Sequence, residues 1–301
     1  MLTGMKIAII GGDLRYIEVI RRLTKLDATV YLIGYDQLDD GFLGVEKTSF
    51  ATIQIGQLDA IILPVNGMKH DHEIDSVFSG EKLYLTEKWL GNTPEKTKIY
   101  TGISTDTLSL LVKKTDRELI ELMNRDDLAI YNSIPTAEGT LMLAIQNTNV
   151  TIHRSNVVVT GFGRVGTTIA RLFHSLGANV KVVAKEGALR ARAYEMNLDP
   201  YPLEELVHVV KDADMIVNTI PALVITSEVI SKMPSHAFII DIAAYPGGTN
   251  FEFAKKRAVK ALLAPGLPGL VAPKTAGVQL ANLLSTLLKT QWEKEEGGKG
   301  K

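Results

Sequence analysis

Three glycines carry the first chemical signal. Gly161, Gly163 and Gly166 stand in G-x-G-x-x-G spacing inside "VVVTGFGRVGTTIA". The pattern follows a short apolar run at 157–160 and opens a helical pattern of Val165, Ile169, Leu172, Phe173 and Leu176 that stops before Gly177. A strand, a glycine turn and a helix in that order are the context a diphosphate-binding turn requires. Gly161 permits the tight turn, Gly163 lets the backbone approach a diphosphate without a Cβ clash, and Gly166 lets the helix pack on the strand. Phe162, Arg164 and Val165 complete the turn, and the helix start offers amides and the positive end of its dipole. The competing reading is a plain strand–helix junction that uses glycine for geometry alone.

The residues that follow select a cofactor. An NAD site places an Asp or Glu about twenty residues after the turn, on the ribose 2′-hydroxyl. Here the next strand, "VKVVA", ends in Ala184 and is followed by Lys185 and Glu186, with Arg190 and Arg192 beyond. A carboxylate at the strand end would repel a 2′-phosphate, whereas a small residue followed by Lys and Arg would attract one. The spacing therefore predicts NADP(H) over NAD(H). Its alternative is that the cations form a solvated helix face and Glu186 serves the ribose one position late. Farther on, Asn218, Thr219, Ile220 and Pro221 leave a strand at its carboxyl end, and Asp241 closes another. Ligands sit beyond such ends, so these residues are expected to line the cofactor.

A second turn, "IAIIGGDLRYIEVI", imitates the first. Tyr16 stands where the third glycine would be, and Asp13 would put negative charge at a phosphate site, so no dinucleotide is expected there. Arg15 either projects from this turn toward a cleft or is a solvated arginine at a helix start. Lys274 opens the last helix, where a cation does not help the dipole; a ligand role and plain exposure both account for it.

The elements that must hold these residues alternate along the chain. Strand candidates are "KIAII", "TVYLI", "AIILPV", "KIYTGI", "NVVVTG", "VKVVA", "MIVNTI", "AFIIDIA" and "VKALLA". Most are near-continuous apolar runs, as in parallel strands buried on both faces. Helical patterns lie between many of them, which predicts an α/β protein with parallel sheets in two domains: an N-terminal Rossmann-like or flavodoxin-like domain over 1–131, a linker helix over 132–150 with Pro135 at its start, a C-terminal NAD(P)-binding Rossmann domain over 151–274, and a final helix over 275–292 crossing back to the first domain. That helix carries Val278, Leu280, Leu283, Leu284, Leu287 and Leu288, too many for one narrow stripe, so it packs between domains or against a second chain, and a homo-oligomer is expected.

Composition removes other classes. The chain has 301 residues, 46% of them hydrophobic, and a formal net charge of −1. That balance speaks against nucleic acid or an anionic membrane as the main partner. There is no cysteine, hence no thiolate metal site or cysteine nucleophile. No run is long enough to span a bilayer and no secretory signal stands out, so a cytoplasmic location is expected. The six histidines show no zinc spacing; "KHDHEID" reads as a charged loop, and no metal is expected.

The two-domain order, the linker "IPTAEGT", the turn "GFGRVG" and the final crossing helix resemble a group that includes 2-hydroxyacid dehydrogenases, alanine dehydrogenase and adenosylhomocysteine hydrolase. The stretches "MKIAIIGGDLRYIEVIRRL" and "KEGALRARA" resemble more closely the A subunits of bacterial dipicolinate synthase. "GGDLR" combined with "PTAEGT" and "APGLPGLVAPKTAG" is the specific part. The resemblance implies oxidation of a dihydrodipicolinate-type ring to pyridine-2,6-dicarboxylate in a sporulating bacterium, within the mother-cell cytoplasm, beside a flavoprotein-like B subunit. A dicarboxylate needs cationic or hydroxyl partners, and Arg15, Lys274, Ser133 and Thr136 are the candidates. Thr136 could equally cap a helix. No general base is singled out. Two other readings stay open: a 2-hydroxyacid-type dehydrogenase, which lacks a correctly placed histidine here, and a non-catalytic NADP-binding scaffold or regulatory subunit of a two-subunit synthase.

Overall fold

The computed structural model of the protein describes residues 1–39 and 41–298. The chain divides into two compact units, one made of 1–128 and 273–301 and the other of 129–272.

In the first unit, β1 (Lys6–Ile10), α1 (Tyr16–Lys25), β2 (Thr29–Ile33), β3 (Val45–Thr48) and β4 (Ala60–Ile62) are followed by a small ribbon of β5 (Glu73–Ile74) and β6 (Leu83–Tyr84). Then come α2 (Glu87–Gly91), β7 (Lys98–Thr101), α3 (Asp106–Lys114) and β8 (Glu118–Glu121). The main sheet is parallel in the order β3-β2-β1-β4-β7-β8. Alternate residues of its central strands feed two cores. Ile7, Ile9, Val30, Leu32, Ala60 and Ile62 face one way, and Ala8, Ile10, Tyr31, Ile33 and Ile61 the other. Burial on both faces is why these strands read as unbroken apolar runs.

The helix α4 (Asp126–Asn147) leads into the second unit. There β9 (Asn156–Thr160), α5 (Arg164–Ser175), β10 (Asn179–Val183), α6 (Gly187–Glu195), β11 (Asp199–Tyr201), α7 (Leu206–Val209), β12 (Met215–Asn218), α8 (Ser227–Lys232), β13 (Phe238–Asp241), α9 (Phe251–Lys256), β14 (Lys260–Leu263) and α10 (Leu267–Val271) follow in turn. The sheet is again parallel and has the same order, β11-β10-β9-β12-β13-β14. The last element of the described residues is α11 (Pro273–Gly298), which belongs to the first unit.

The two units repeat one construction in detail. Asp59 and Asp214 each accept the first amide of the central strand, from Lys6 and Asn156, at 2.8 Å through Oδ2. Their own amides return the bond to Lys6 O and Asn156 O at 2.9 Å. Asp27 and Gly177 end α1 and α5 in the left-handed region, φ 66° and 82°. Only the second uses the residue that reaches this region without strain. No sequence repeat betrays this beyond the shared strand–turn–helix grammar.

Three edge strands, "VEKT", "ELIE" and "DPY", escape the sequence reading because edge strands carry the charges and prolines that inner strands exclude. "KHDHEID" likewise contributes β5, a two-residue ribbon strand, rather than loop alone. The linker helix differs too. It begins at Asp126, where Asp126 and Asp127 suit the dipole and Asp127 Oδ1 accepts the Leu128 amide at 2.8 Å. Pro135 therefore lies inside the helix, not at its start, and Thr136 is no cap: its hydroxyl donates to Asn132 O at 2.8 Å within the same helix.

In α11, Leu280, Leu284 and Leu288 are fully buried against Tyr16, Val19, Ile20 and Leu23 of α1, while Val278 stays 41% exposed. The close approach rests on Gly277, where a Cβ would overlap the carbonyl oxygen of Arg15 and lie 3.0 Å from its Cα. Backbone on both sides leaves nothing soft to yield. Gly277→Ala is therefore expected to lower the unfolding free energy by about 1–3 kcal/mol in urea denaturation; a loss under about 0.5 kcal/mol would show that α11 slides to make room.

Candidate functional site

The site begins where β9 ends. Gly161 has φ 86°, and a side chain there would run into Thr219 and Ile220. At Gly166 a Cβ would overlap the carbonyl oxygen of Gly161, so this glycine sets the contact between α5 and the turn. Gly163 differs from both. Its backbone is extended, with φ −82°, and a Cβ would meet nothing within 4 Å. It borders open space, and as the residue before α5 it makes no side-chain cap to the first amides of that helix. Backbone amides facing such a space at a helix start are the donor set a diphosphate needs.

That space belongs to a cavity of about 450 Å³. Gly161, Phe162, Gly163, Arg164, Val165 and Gly166 form one side. Ala184, Lys185, Glu186 and Leu189 close it at the end of β10, and Thr219, Ile220 and Pro221 at the end of β12. Of the three cations after the strand, Lys185 lines this cavity. Arg190 instead turns its Nη1 back onto the carbonyls of Ala184 (2.9 Å) and Lys185 (2.5 Å), fixing the backbone that presents Lys185. Arg192 is exposed and pairs with Glu195 at 3.0 Å. Neither arginine is among the lining residues.

Asn218 and Asp241 stand behind the cavity, fully buried. Asn218 accepts from Thr160 Oγ1 (2.7 Å) and from the Ile220 amide (3.1 Å), and donates to Ile220 O and Asp241 Oδ1, both at 3.0 Å. Asp241 also accepts from the amides of Ala243 and Gly248 and from Thr249 Oγ1, at 3.1, 2.8 and 2.6 Å. Each oxygen of the carboxylate accepts twice, from Asn218 at the end of β12 and from the loop after β13. These two residues shape the rim of the cavity through other residues rather than by lining it. The spacing of the sequence offered no sign of this network.

A second cavity of about 210 Å³ adjoins the first through Val165, Thr219 and Pro221. Thr136, Ile242, Ala243, Ala244, Ala264 and Leu267 are among its walls, and none of its lining residues is ionisable. Ser133 is one turn before Thr136 on α4 but is buried, donating to Ile130 O (2.6 Å) and sharing a hydrogen bond with Thr168 Oγ1 (2.7 Å).

The imitation turn in the first unit is closed. Gly12 has φ 129°, and a Cβ there would lie 2.6 Å from the ring of Tyr16; one at Gly11 would lie 2.5 Å from Asp75 O. Tyr16 is itself pinned, its hydroxyl donating to Leu63 O at 2.6 Å, and burial pushes that hydroxyl well above its ordinary pKa. Arg15 is buried to 7% exposure and bound side-on by Asp13: Nε to Oδ1 at 2.9 Å and Nη2 to Oδ2 at 2.6 Å. Lys274 is exposed in the first turn of α11. It stands three residues before Gly277, which packs on Arg15, so the two cations come from opposite ends of the chain to one region of the first unit. A larger cavity, about 600 Å³, lies beyond β2 and β3 and includes none of these residues. Among the described residues, no group of three or more His, Asp or Glu could hold a metal ion, and no helix is long and apolar enough to cross a membrane.

The two glycines of the turn should separate under mutation. Gly166→Ala is expected to cost about 1–3 kcal/mol of stability, because backbone must move. Gly163→Ala should stay within about 0.5 kcal/mol of the parent, because the new methyl enters open space. Thermal unfolding of both variants measures the difference, and equal losses would contradict it.

Known proteins resemble both units of the chain. Residues 6–123 match the family model for the N-terminal domain of the A subunit of dipicolinate synthase. Residues 136–244 match that of the D-isomer specific 2-hydroxyacid dehydrogenase NAD binding domain. The dipicolinate synthase A subunit of Bacillus subtilis (strain 168) is 52% identical over 297 residues, 99% of this chain and 100% of that protein. The crystal structure of the Bacillus halodurans A subunit superposes with a TM-score of 0.93 at 52% identity, covering 96% of this chain and 99% of that one. The crystal structure of its Bacillus subtilis counterpart gives 0.93 at 51%, covering 98% and 99%. The likeness thus runs along essentially the whole length of both chains, and the chain belongs to the family of dipicolinate synthase A subunits.

Proposed function

We propose that this protein is the NADP-dependent oxidoreductase subunit of a dipicolinate synthase, converting a dihydrodipicolinate-type ring to pyridine-2,6-dicarboxylate in the mother-cell cytoplasm of a sporulating bacterium, together with a B subunit. The observation that carries the reading is the open space at Gly163, bordered by a strand that ends in Ala184 and is followed on the cavity wall by Lys185 before Glu186. The bound nicotinamide would supply the hydride acceptor, and the ring would release one proton and become aromatic. The chain's own contribution is binding and orientation. The amides at the start of α5 hold the diphosphate, and Lys185 meets the 2′-phosphate. In this reading the nicotinamide end lies toward β12 and β13, which the strand order supports, and the second cavity there has hydroxyls at Thr136 and Thr219 and otherwise small apolar walls. The absence of an ionisable group from that cavity's lining fits a reaction that asks for alignment rather than a strong base. Arg15 and Lys274 are the cations for the two carboxylates.

A direct assay tests the reading. NADPH absorbance should grow when the purified chain meets NADP and a dihydrodipicolinate. No turnover alone but turnover with the B subunit would favour a scaffold or a shared site instead.

Cofactor choice is tested separately. Lys185→Ala should weaken NADPH about tenfold, the scale of one charge-assisted phosphate contact, and leave NADH unchanged in fluorescence titration. Tighter binding of NAD than NADP, indifferent to Lys185→Ala, would refute the preference.

Arg15→Ala should raise KM for the ring dicarboxylate by about tenfold or more without loosening NADPH. Unchanged steady-state kinetics would make Arg15 structural.

A further inference from the structure

The two glycine turns can be aligned residue by residue. Gly11 and Gly161 both have positive φ, 64° and 86°, and their amides donate to Ile33 O and Val183 O, each at 2.9 Å. Two residues later stand Asp13 and Gly163. Where the second unit leaves open space for an anion, the first supplies a carboxylate of its own. That carboxylate is spent on Arg15: Oδ1 accepts from the Arg15 amide (3.0 Å) and Nε (2.9 Å), and Oδ2 from Nη2 (2.6 Å). Burial opposes the charge on the guanidinium, but the hydrogen bonds to Asp13 and its charge outweigh burial and hold Arg15 above its ordinary pKa.

A side-on pair of this kind fixes the plane of the guanidinium and consumes one edge of it. The other end is different. Nη1 has no hydrogen-bond partner among the described residues, and it is not one of the solvent-free unpaired atoms there, so it keeps contact with solvent. A 7% exposed arginine with an immobilised plane and one open nitrogen is a preorganised receptor for a planar carboxylate.

We propose that Asp13 is a positioning residue for substrate recognition, holding Arg15 so that Nη1 meets one carboxylate of the ring dicarboxylate. This rests on the reading of the protein as an oxidoreductase acting on such a ring. Asp13 does not touch the substrate; it removes the rotamers in which Arg15 would face elsewhere. The same carboxylate also accepts the Arg15 amide in the turn just ahead of α1, so the variant must keep that role.

Asp13→Asn does so. The amide oxygen still accepts in that turn, whereas the NH2 group offers Nη2 no acceptor and no charge. Calorimetric titration of the full chain with pyridine-2,6-dicarboxylate and with pyridine-2-carboxylate gives the test. The parent is expected to prefer the dicarboxylate. Asp13→Asn should lose about tenfold in dicarboxylate affinity and most of that preference, with KM rising more than kcat falls and NADPH affinity unchanged, alongside a fall in unfolding temperature because the buried guanidinium loses its counter-charge. A merely structural Asp13 would move the unfolding temperature and not the preference between the two ligands. Parent-like dicarboxylate affinity in Asp13→Asn overturns the proposal while leaving the proposed function standing. Failure of the parent itself to bind either pyridine acid overturns both.

Discussion

Each main sheet of this protein is buried on both faces, which leaves chemistry only the ends of the strands. Side chains within β1 or β9 alternate between two apolar cores and have no access to a ligand. The glycine turns, Lys185 and Thr219 therefore lie just beyond the carboxyl ends of strands, on the rim that parallel sheets of this order use for ligands. The Asn218–Asp241 network follows from the same constraint. Two buried polar side chains at neighbouring strand ends must be fully bonded to be tolerated, and satisfying them fixes the loops that shape the cavity.

With the scaffold repeated, small differences at the first turn decide what each unit does. Gly163 leaves a gap and Gly166 lets the helix come close. Tyr16, in the place of that last glycine, fills the gap in the first unit with a ring, and Asp13 fills the anion position with a carboxylate. Equal backbone hydrogen bonds at Gly11 and Gly161 show that the turn itself survives these changes. The first unit has the backbone geometry of a nucleotide turn and carries in it an ion pair between buried Arg15 and half-buried Asp13.

Much of this was legible in residue types and spacing. The inner strands announced themselves through unbroken apolar runs, and the glycine turn through the strand before it and the amphipathic helix after it. Tyr16 and Asp13 argue against a dinucleotide at the first turn, and the structure sets the Tyr16 ring against Gly12 there. The misses share a physical origin. Strands at the edges have polar sequences because half their hydrogen bonds face solvent, so "VEKT" and "ELIE" look like loops. Pro135 suggested a helix start because a helix interior disfavours it, yet the acidic turn at Asp126 and Asp127 starts α4 nine residues earlier. The roles of Asn218, Asp241 and Arg190 depend on partners brought together only by folding, and spacing along the chain cannot reveal them.

The docking of α11 also orders events in time. Gln291 donates to Asp59 O at 3.0 Å and accepts from Tyr100 at 2.8 Å, and Leu280, Leu284 and Leu288 complete the core around α1. The first unit is thus discontinuous in sequence, with the whole second unit translated before its last helix exists. On the ribosome the second unit has all its residues and can close first, while the apolar side of α1 waits for the final turns of the chain. The unit whose synthesis begins before that of the other is completed after it.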